Sequence, residues 1–135
     1  MAIRTYLKVG DIVEGSWEVI KQIGQGGSAT VYLVRDIELN RFLALKEVPV
    51  RGTKEGERQA RAVIAEVNLL KSLSHPSIPR IIKMTKDAHS LLIVMDYIEG
   101  YSLRDLIAKK SYIDEKSIVR WGLALCDTLK YLHNR

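Results

Sequence analysis

Ile23-Gly24-Gln25-Gly26-Gly27-Ser28-Ala29-Thr30-Val31, with Lys46 downstream in Leu43-Ala44-Leu45-Lys46-Glu47-Val48, decides how the chain is read. Three glycines within four residues leave backbone N–H groups unobstructed by side chains, and successive N–H groups of that kind form a concavity suited to phosphate oxygens. The ordinary alternative is a structural turn between two strands. What flanks the glycines separates the two.

Thr30-Val31-Tyr32-Leu33-Val34-Arg35 is rich in β-branched and aromatic residues and has no helix N-cap pattern, so the spacing predicts a strand. A dinucleotide-binding turn would need its glycines to open a helix. A P-loop would need Gly-Lys-Ser/Thr, which occurs nowhere in the sequence. A glycine turn joining two strands, with one Lys on a third, is a hairpin lid over a nucleotide whose phosphates the Lys grips. Set among Phe42, Leu43, Ala44, Leu45 and Val48, Lys46 is costly to bury without an anionic partner.

Outward from this core, strands are expected over Trp17–Ile23, Ala29–Arg35 and Phe42–Val48, with Pro49 ending the third. A polar loop then leads to an amphipathic helix from Glu57 to Ser72, with Ala60, Val63, Ile64, Val67 and Leu70 on one stripe and Glu66 on its flank. Arg80–Lys86 and His89–Met95 read as a hairpin. Ser102 is expected to cap a short helix to Ala108, and Asp114 a longer one to His133 that is apolar on more than one face. The first fifteen residues read as a leader strand or loop laid against the first sheet.

Together these motifs resemble the N-terminal part of a protein kinase domain. Gly24-x-Gly26-x-x-Ala29-x-Val31 resembles the family's G-x-G-x-x-G-x-V loop, with Ala29 at the third glycine position, and Ala44-Leu45-Lys46 resembles its V-A-I-K strand. Ser74-His75-Pro76-Ser77-Ile78 resembles the H-P-N-I turn, and Met95-Asp96-Tyr97-Ile98-Glu99-Gly100 the hinge between the two lobes. The resemblance implies an α+β fold: a kinase-like N-terminal lobe with a five-stranded antiparallel sheet and one long helix, followed by two helices of a truncated C-terminal lobe. It divides the chain into a leader at 1–15, an ATP-binding lobe at 16–98, and a hinge exit with the first helices of the second lobe at 99–135.

The same resemblance assigns roles. Lys46 and Glu66, 20 residues apart, would form the catalytic Lys–Glu ion pair. Gly24, Gly26 and Gly27 would cover the phosphates; Ile23, Val31 and Ala44 would roof the adenine. Met95 would be the gatekeeper behind the ring, the Asp96 C=O and Ile98 N–H would bond its edge, and Ser102 would approach the ribose. The catalytic Asp and the Mg²⁺ ligands belong to the catalytic loop and D-F-G segment, expected beyond Arg135. ATP is thus the expected cofactor and a protein Ser or Thr the expected substrate of the parent enzyme, the chain alone being inactive. A non-catalytic, pseudokinase-like nucleotide-binding or protein-interaction module is the alternative.

Composition agrees with a folded domain, at 47% hydrophobic residues. The net charge of +5 is dispersed among acidic residues without a basic run, so no nucleic-acid partner is expected. The single Cys126 excludes an internal disulfide, suits a cytoplasmic setting, and reads as a small core residue. No apolar run approaches the roughly 20 residues that span a bilayer. His75 and His89 lack metal-ligand spacing and read as turn residues. The apolar helix at 114–133 is expected to self-associate or to rest on the remainder of a C-terminal lobe.

Overall fold

A computed structural model describes residues 7–26, 29–50, 52–87 and 89–135. In chain order the elements are β1 (Ile12–Val13), β2 (Trp17–Gln25), β3 (Thr30–Asp36), β4 (Arg41–Pro49), α1 (Lys54–Lys71), β5 (Ile81–Lys86), β6 (Ser90–Asp96), α2 (Leu103–Ala108) and α3 (Glu115–His133). The strands form one antiparallel sheet in the order β1-β2-β3-β4-β6-β5. Six strands stand where five were expected. The extra one is β1, a two-residue strand in the leader that pairs Ile12 with Glu18 and Val13 with Trp17. Its tight connection to β2 takes Glu14 to φ 48° and Gly15 to φ 68°, with Ser16 N–H donating to the Val13 carbonyl at 3.0 Å.

Asx-type turns close the β3–β4 and β5–β6 hairpins. Asp36 Oδ1 accepts from the Glu38 and Leu39 amides, and Asp87 Oδ1 from the His89 and Ser90 amides. Helix α1 begins three residues earlier than the expected Glu57, because Thr53 Oγ1 accepts from Gly56 N at 3.1 Å and caps it there. Gly56, expected in the preceding loop, is a buried residue of the helix.

The period-2 alternation divides the sheet between two apolar clusters. One contains Trp17, Val19, Tyr32, Val34, Leu43, Leu45, Leu92 and Val94, with Val13 and Leu7 of the leader packed in. The other joins Val48, Leu91 and Ile93 to Ala60 and Val67 of α1, with Val63, Ile64, Met84 and Met95 against it. Each large side chain buried in these clusters stabilises the fold by about 1.5–3 kcal/mol.

The chain forms two compact units. The first holds residues 1–73 and 79–97; the second holds 74–78 with 98–135. Within the second, the Ser102–Asp105 capping box starts α2, and Asp114 Oδ1 accepts from Ser117 N at 2.8 Å to start α3. Tyr131 ties α3 to the Ser74–Ile78 turn, its hydroxyl accepting from Ser74 N at 2.8 Å while its ring lies 5.1 Å from that of His75. Cys126, expected in a core, is exposed. The half-buried side of α3 runs through Ser117, Trp121, Thr128 and Tyr131, and Cys126 lies off it.

Candidate nucleotide-binding face

Strand register sets the candidate residues in rows. Gly24 pairs with Val31, Val31 with Lys46, and Lys46 with Ile93, so one row crosses β2, β3, β4 and β6. Two residues along, Leu33 pairs with Ala44 and Ala44 with Met95. Directly opposed residues share a face, as do residues two apart on a strand. Val31, Ala44, Lys46 and Met95 therefore share one face of the sheet with Gly24. Met95 packs against the cluster beneath α1, whereas Leu43, Leu45 and Glu47 point to the other side.

Ile23 is the extra residue of a bulge between the Gln22–Tyr32 and Gly24–Val31 pairs, and is 39% exposed. A Cβ at Gly24 would meet the Val31 Cβ at 3.7 Å, an ordinary contact, so the chain's own packing does not demand glycine there. Gly26 N–H is not left for a phosphate as the sequence suggested. It donates to the Ala29 carbonyl at 2.8 Å and closes the turn. Gly27 and Ser28 lie outside the described residues.

Lys46 is half-buried, and among the described residues its ammonium makes no ion pair or hydrogen bond. The expected pair with Glu66 is not formed in this structure. Glu66 is exposed, because α1 turns Ala60 and Val67 into the core and a helix advances about 100° per residue. Glu66 thus stands roughly a quarter-turn from its buried neighbour.

Asp96, the last residue of β6, is held by Arg80. The guanidinium Nε reaches Oδ2 at 3.0 Å and an Nη reaches Oδ1 at 3.1 Å, while Arg80 N also donates to Oδ2 at 3.0 Å. Hydrogen bonding to that side chain, ahead of the attraction between the opposite charges, holds the Asp96 carboxyl below the usual carboxylate range and raises Arg80. Ile98 and Ser102 fall in the second unit. Ile98 is 68% exposed, and the Ser102 hydroxyl is engaged in the cap of α2, donating to Asp105 Oδ2 at 2.6 Å and accepting from Asp105 N at 3.1 Å.

A model of the protein kinase domain matches residues 17–135. The chain belongs to the protein kinase family. It is 36% identical over 138 residues to a serine/threonine-protein kinase of Caenorhabditis elegans, covering 93% of this chain and 14% of that protein. To mitogen-activated protein kinase kinase kinase 3 of Arabidopsis thaliana it is 34% identical over 122 residues, covering 87% and 19% respectively. Among solved structures, Rad53 in complex with AMP-PNP matches with a TM-score of 0.73 and 25% identity over 88% of this chain and 30% of that one. The chain thus spans under a third of each of these relatives.

Three contacts or burials in the structure go beyond what was expected from the sequence. Arg80 read only as a strand start, although its Asp96 partner follows from the hairpin register once the β5–β6 turn is fixed. His75 read as a turn residue, yet its Nε2 lies 3.1 Å from Asp127 Oδ2 within the second unit. Glu47 is 3% exposed, and two-residue alternation from Leu43 and Leu45 already put it on a buried face.

Proposed function

We propose that this chain is the ATP-binding part of a protein kinase that transfers the γ-phosphate of ATP to Ser or Thr of a protein. The observation that carries the reading is Lys46. This half-buried lysine, without an acidic partner among the described residues, shares a sheet face with Gly24, Val31, Ala44 and Met95. An ammonium so placed favours an anion, and small or apolar neighbours favour a flat ring beside it.

ATP supplies the transferable phosphoryl group when bound, and the residues here fit it. Gly24 leaves room for close approach, Lys46 would neutralise phosphate charge, and Ala44 with Val31 and Ile23 would cover the ring, Met95 standing behind it. The Asp96 carbonyl and Ile98 N–H would read the adenine edge. Ser102 near the ribose would have to share a hydroxyl already used in a cap. Glu66 reaching Lys46 would require a rotation of α1. Mg²⁺ belongs to the same proposal; among the described residues no group of three or more His, Cys, Asp or Glu could hold a metal ion. Ser/Thr selectivity rests on the relatives named above, and a cytoplasmic setting on the lone cysteine. No helix among the described residues is long and apolar enough to cross a membrane.

Calorimetric titration with ATP and Mg²⁺ tests the reading. The intact protein should bind and phosphorylate a protein hydroxyl, whereas residues 1–135 alone should bind no tighter than micromolar, having part of a pocket. An intact protein that binds ATP without transferring phosphate would favour the pseudokinase-like alternative, and one that binds no nucleotide would overturn both.

A further inference from the structure

The end of β6 is held in an unusual way. Strand β5 pairs Ile81 with Met95, but the register slips between Ile81 and Lys83, so the ladder is irregular beside the last residues of β6. Beyond Asp96 the chain leaves the sheet. At that point Arg80 makes up for the lost regularity. Its carbonyl accepts from Asp96 N at 3.0 Å, its amide and Nε both donate to Asp96 Oδ2 at 3.0 Å, and an Nη donates to Oδ1 at 3.1 Å.

An exposed ion pair usually contributes little, because two flexible side chains must be ordered in water. A two-pronged guanidinium–carboxylate fork that is also tied to both backbones differs in kind, since it fixes direction as well as distance. The Asp96 side chain is only 25% exposed although that of Arg80 is 70% exposed. With its N–H and both carboxylate oxygens committed to Arg80, Asp96 has little freedom left, and the peptide plane that follows it is held with it.

We infer that Arg80 is a positioning residue for adenine selectivity: by locking Asp96 it aims the Asp96 carbonyl at the 6-amino group of the purine. This rests on the nucleotide reading above. Arg80 touches no nucleotide itself. Its effect should therefore appear only with ligands that carry the amino group that the carbonyl would accept from.

The test compares ATP with purine riboside triphosphate, which keeps the ring, sugar and phosphates but lacks the 6-amino group, on the intact protein. The wild type should prefer ATP. Arg80→Ala should weaken ATP about three- to tenfold, the worth of one well-aimed hydrogen bond, and leave the analogue unchanged. Arg80→Lys keeps the charge but not the fork and should behave like Arg80→Ala, which guards against a folding defect peculiar to one variant. Equal weakening of both ligands would mean that the fork is only a staple and would overturn the role, as would an ATP preference unchanged in both variants. A wild type that binds neither ligand would instead remove the nucleotide reading, and this role with it, before any Arg80 variant is measured.

Discussion

Glu14 Oε2 lies 2.6 Å from Lys83 Nζ, although Glu14 follows β1 at one edge of the sheet and Lys83 belongs to β5 at the other. Glu14 Oε1 also accepts from the Thr85 hydroxyl, and the Lys83 ammonium sits 5.3 Å from the centre of the Trp17 ring. The six strands therefore curl until their outer edges meet, enclosing the cluster around Trp17, Tyr32 and Leu45. The positive φ of Glu14 is uncommon for a residue with a side chain, and here it accompanies a carboxylate that reaches across to the far edge.

This closure should be sensitive to acid. Bonding to Lys83, then to Thr85, lowers the Glu14 carboxyl from its ordinary value of 4.5, and bonding to Arg80 lowers Asp96 from 3.8. A carboxyl depressed in the folded state stabilises it above the unfolded-state value, and that contribution is lost as pH falls through the folded-state value. The melting temperature of the chain should accordingly drop on acidification below the ordinary carboxyl range. Lys83→Met should flatten part of that dependence; an acid profile identical to wild type would show that the edge pair contributes nothing.

Lys46→Met tests the phosphate grip. The substitution removes a charge without emptying the space, so the fold should persist by circular dichroism. Nucleotide affinity of the intact protein should fall about ten- to a hundredfold, as for loss of a charge-assisted hydrogen bond. An unchanged dissociation constant would remove Lys46 from the site.

Glu47→Ala addresses the opposite face of the same strand. The buried carboxylate accepts from the Tyr32 hydroxyl at 3.2 Å and the Ser90 hydroxyl at 3.1 Å. Removing it withdraws an acceptor that both use and leaves a void, so unfolding should become easier by about 1–3 kcal/mol in denaturant titration. A neutral outcome would mean that water enters and takes over the acceptor's place.

How much of this was legible in the sequence depended on the range of the interaction. Helix caps at Ser102 and Asp114, and strands flanking the glycine turn, follow from neighbours in sequence, and the structure has them where the sequence put them. The shared face of Val31, Ala44 and Lys46 needed only strand alternation and hairpin order, whereas Met95 joins it through the longer-range pairing of β4 with β6. What escaped was set at a distance. Strand β1, one of the two forms expected of the leader, is too short to carry a pattern of its own and is decided by the edge that β2 offers it. The Glu14–Lys83 contact spans the whole sheet. A Lys46–Glu66 pair, not formed in this structure, would depend on the rotation of α1, which helical periodicity leaves open.

The same logic leads to the surface of α3. Ile118, Val119, Leu123, Leu125 and Leu129 are between 50% and 66% exposed, and among the described residues of this helix none is buried. Trp121, Leu125, Leu129 and Leu132 succeed one another at spacings of four, four and three, one continuous stripe of which Trp121 is half-buried. Covering a large apolar side chain is worth about 1.5–3 kcal/mol, so several left in water forgo an amount comparable with the roughly 5–15 kcal/mol that holds a domain together. Residues 1–135 produced by themselves should therefore associate through this helix, the apparent mass rising with concentration in sedimentation or light scattering. Leu125→Glu with Leu129→Glu should restore a monomer, because a carboxylate in an apolar interface must either be desolvated or keep the surfaces apart. A wild-type chain that stays monomeric on concentration, with α3 still helical, would mean that this face tolerates water at a cost the rest of the fold absorbs.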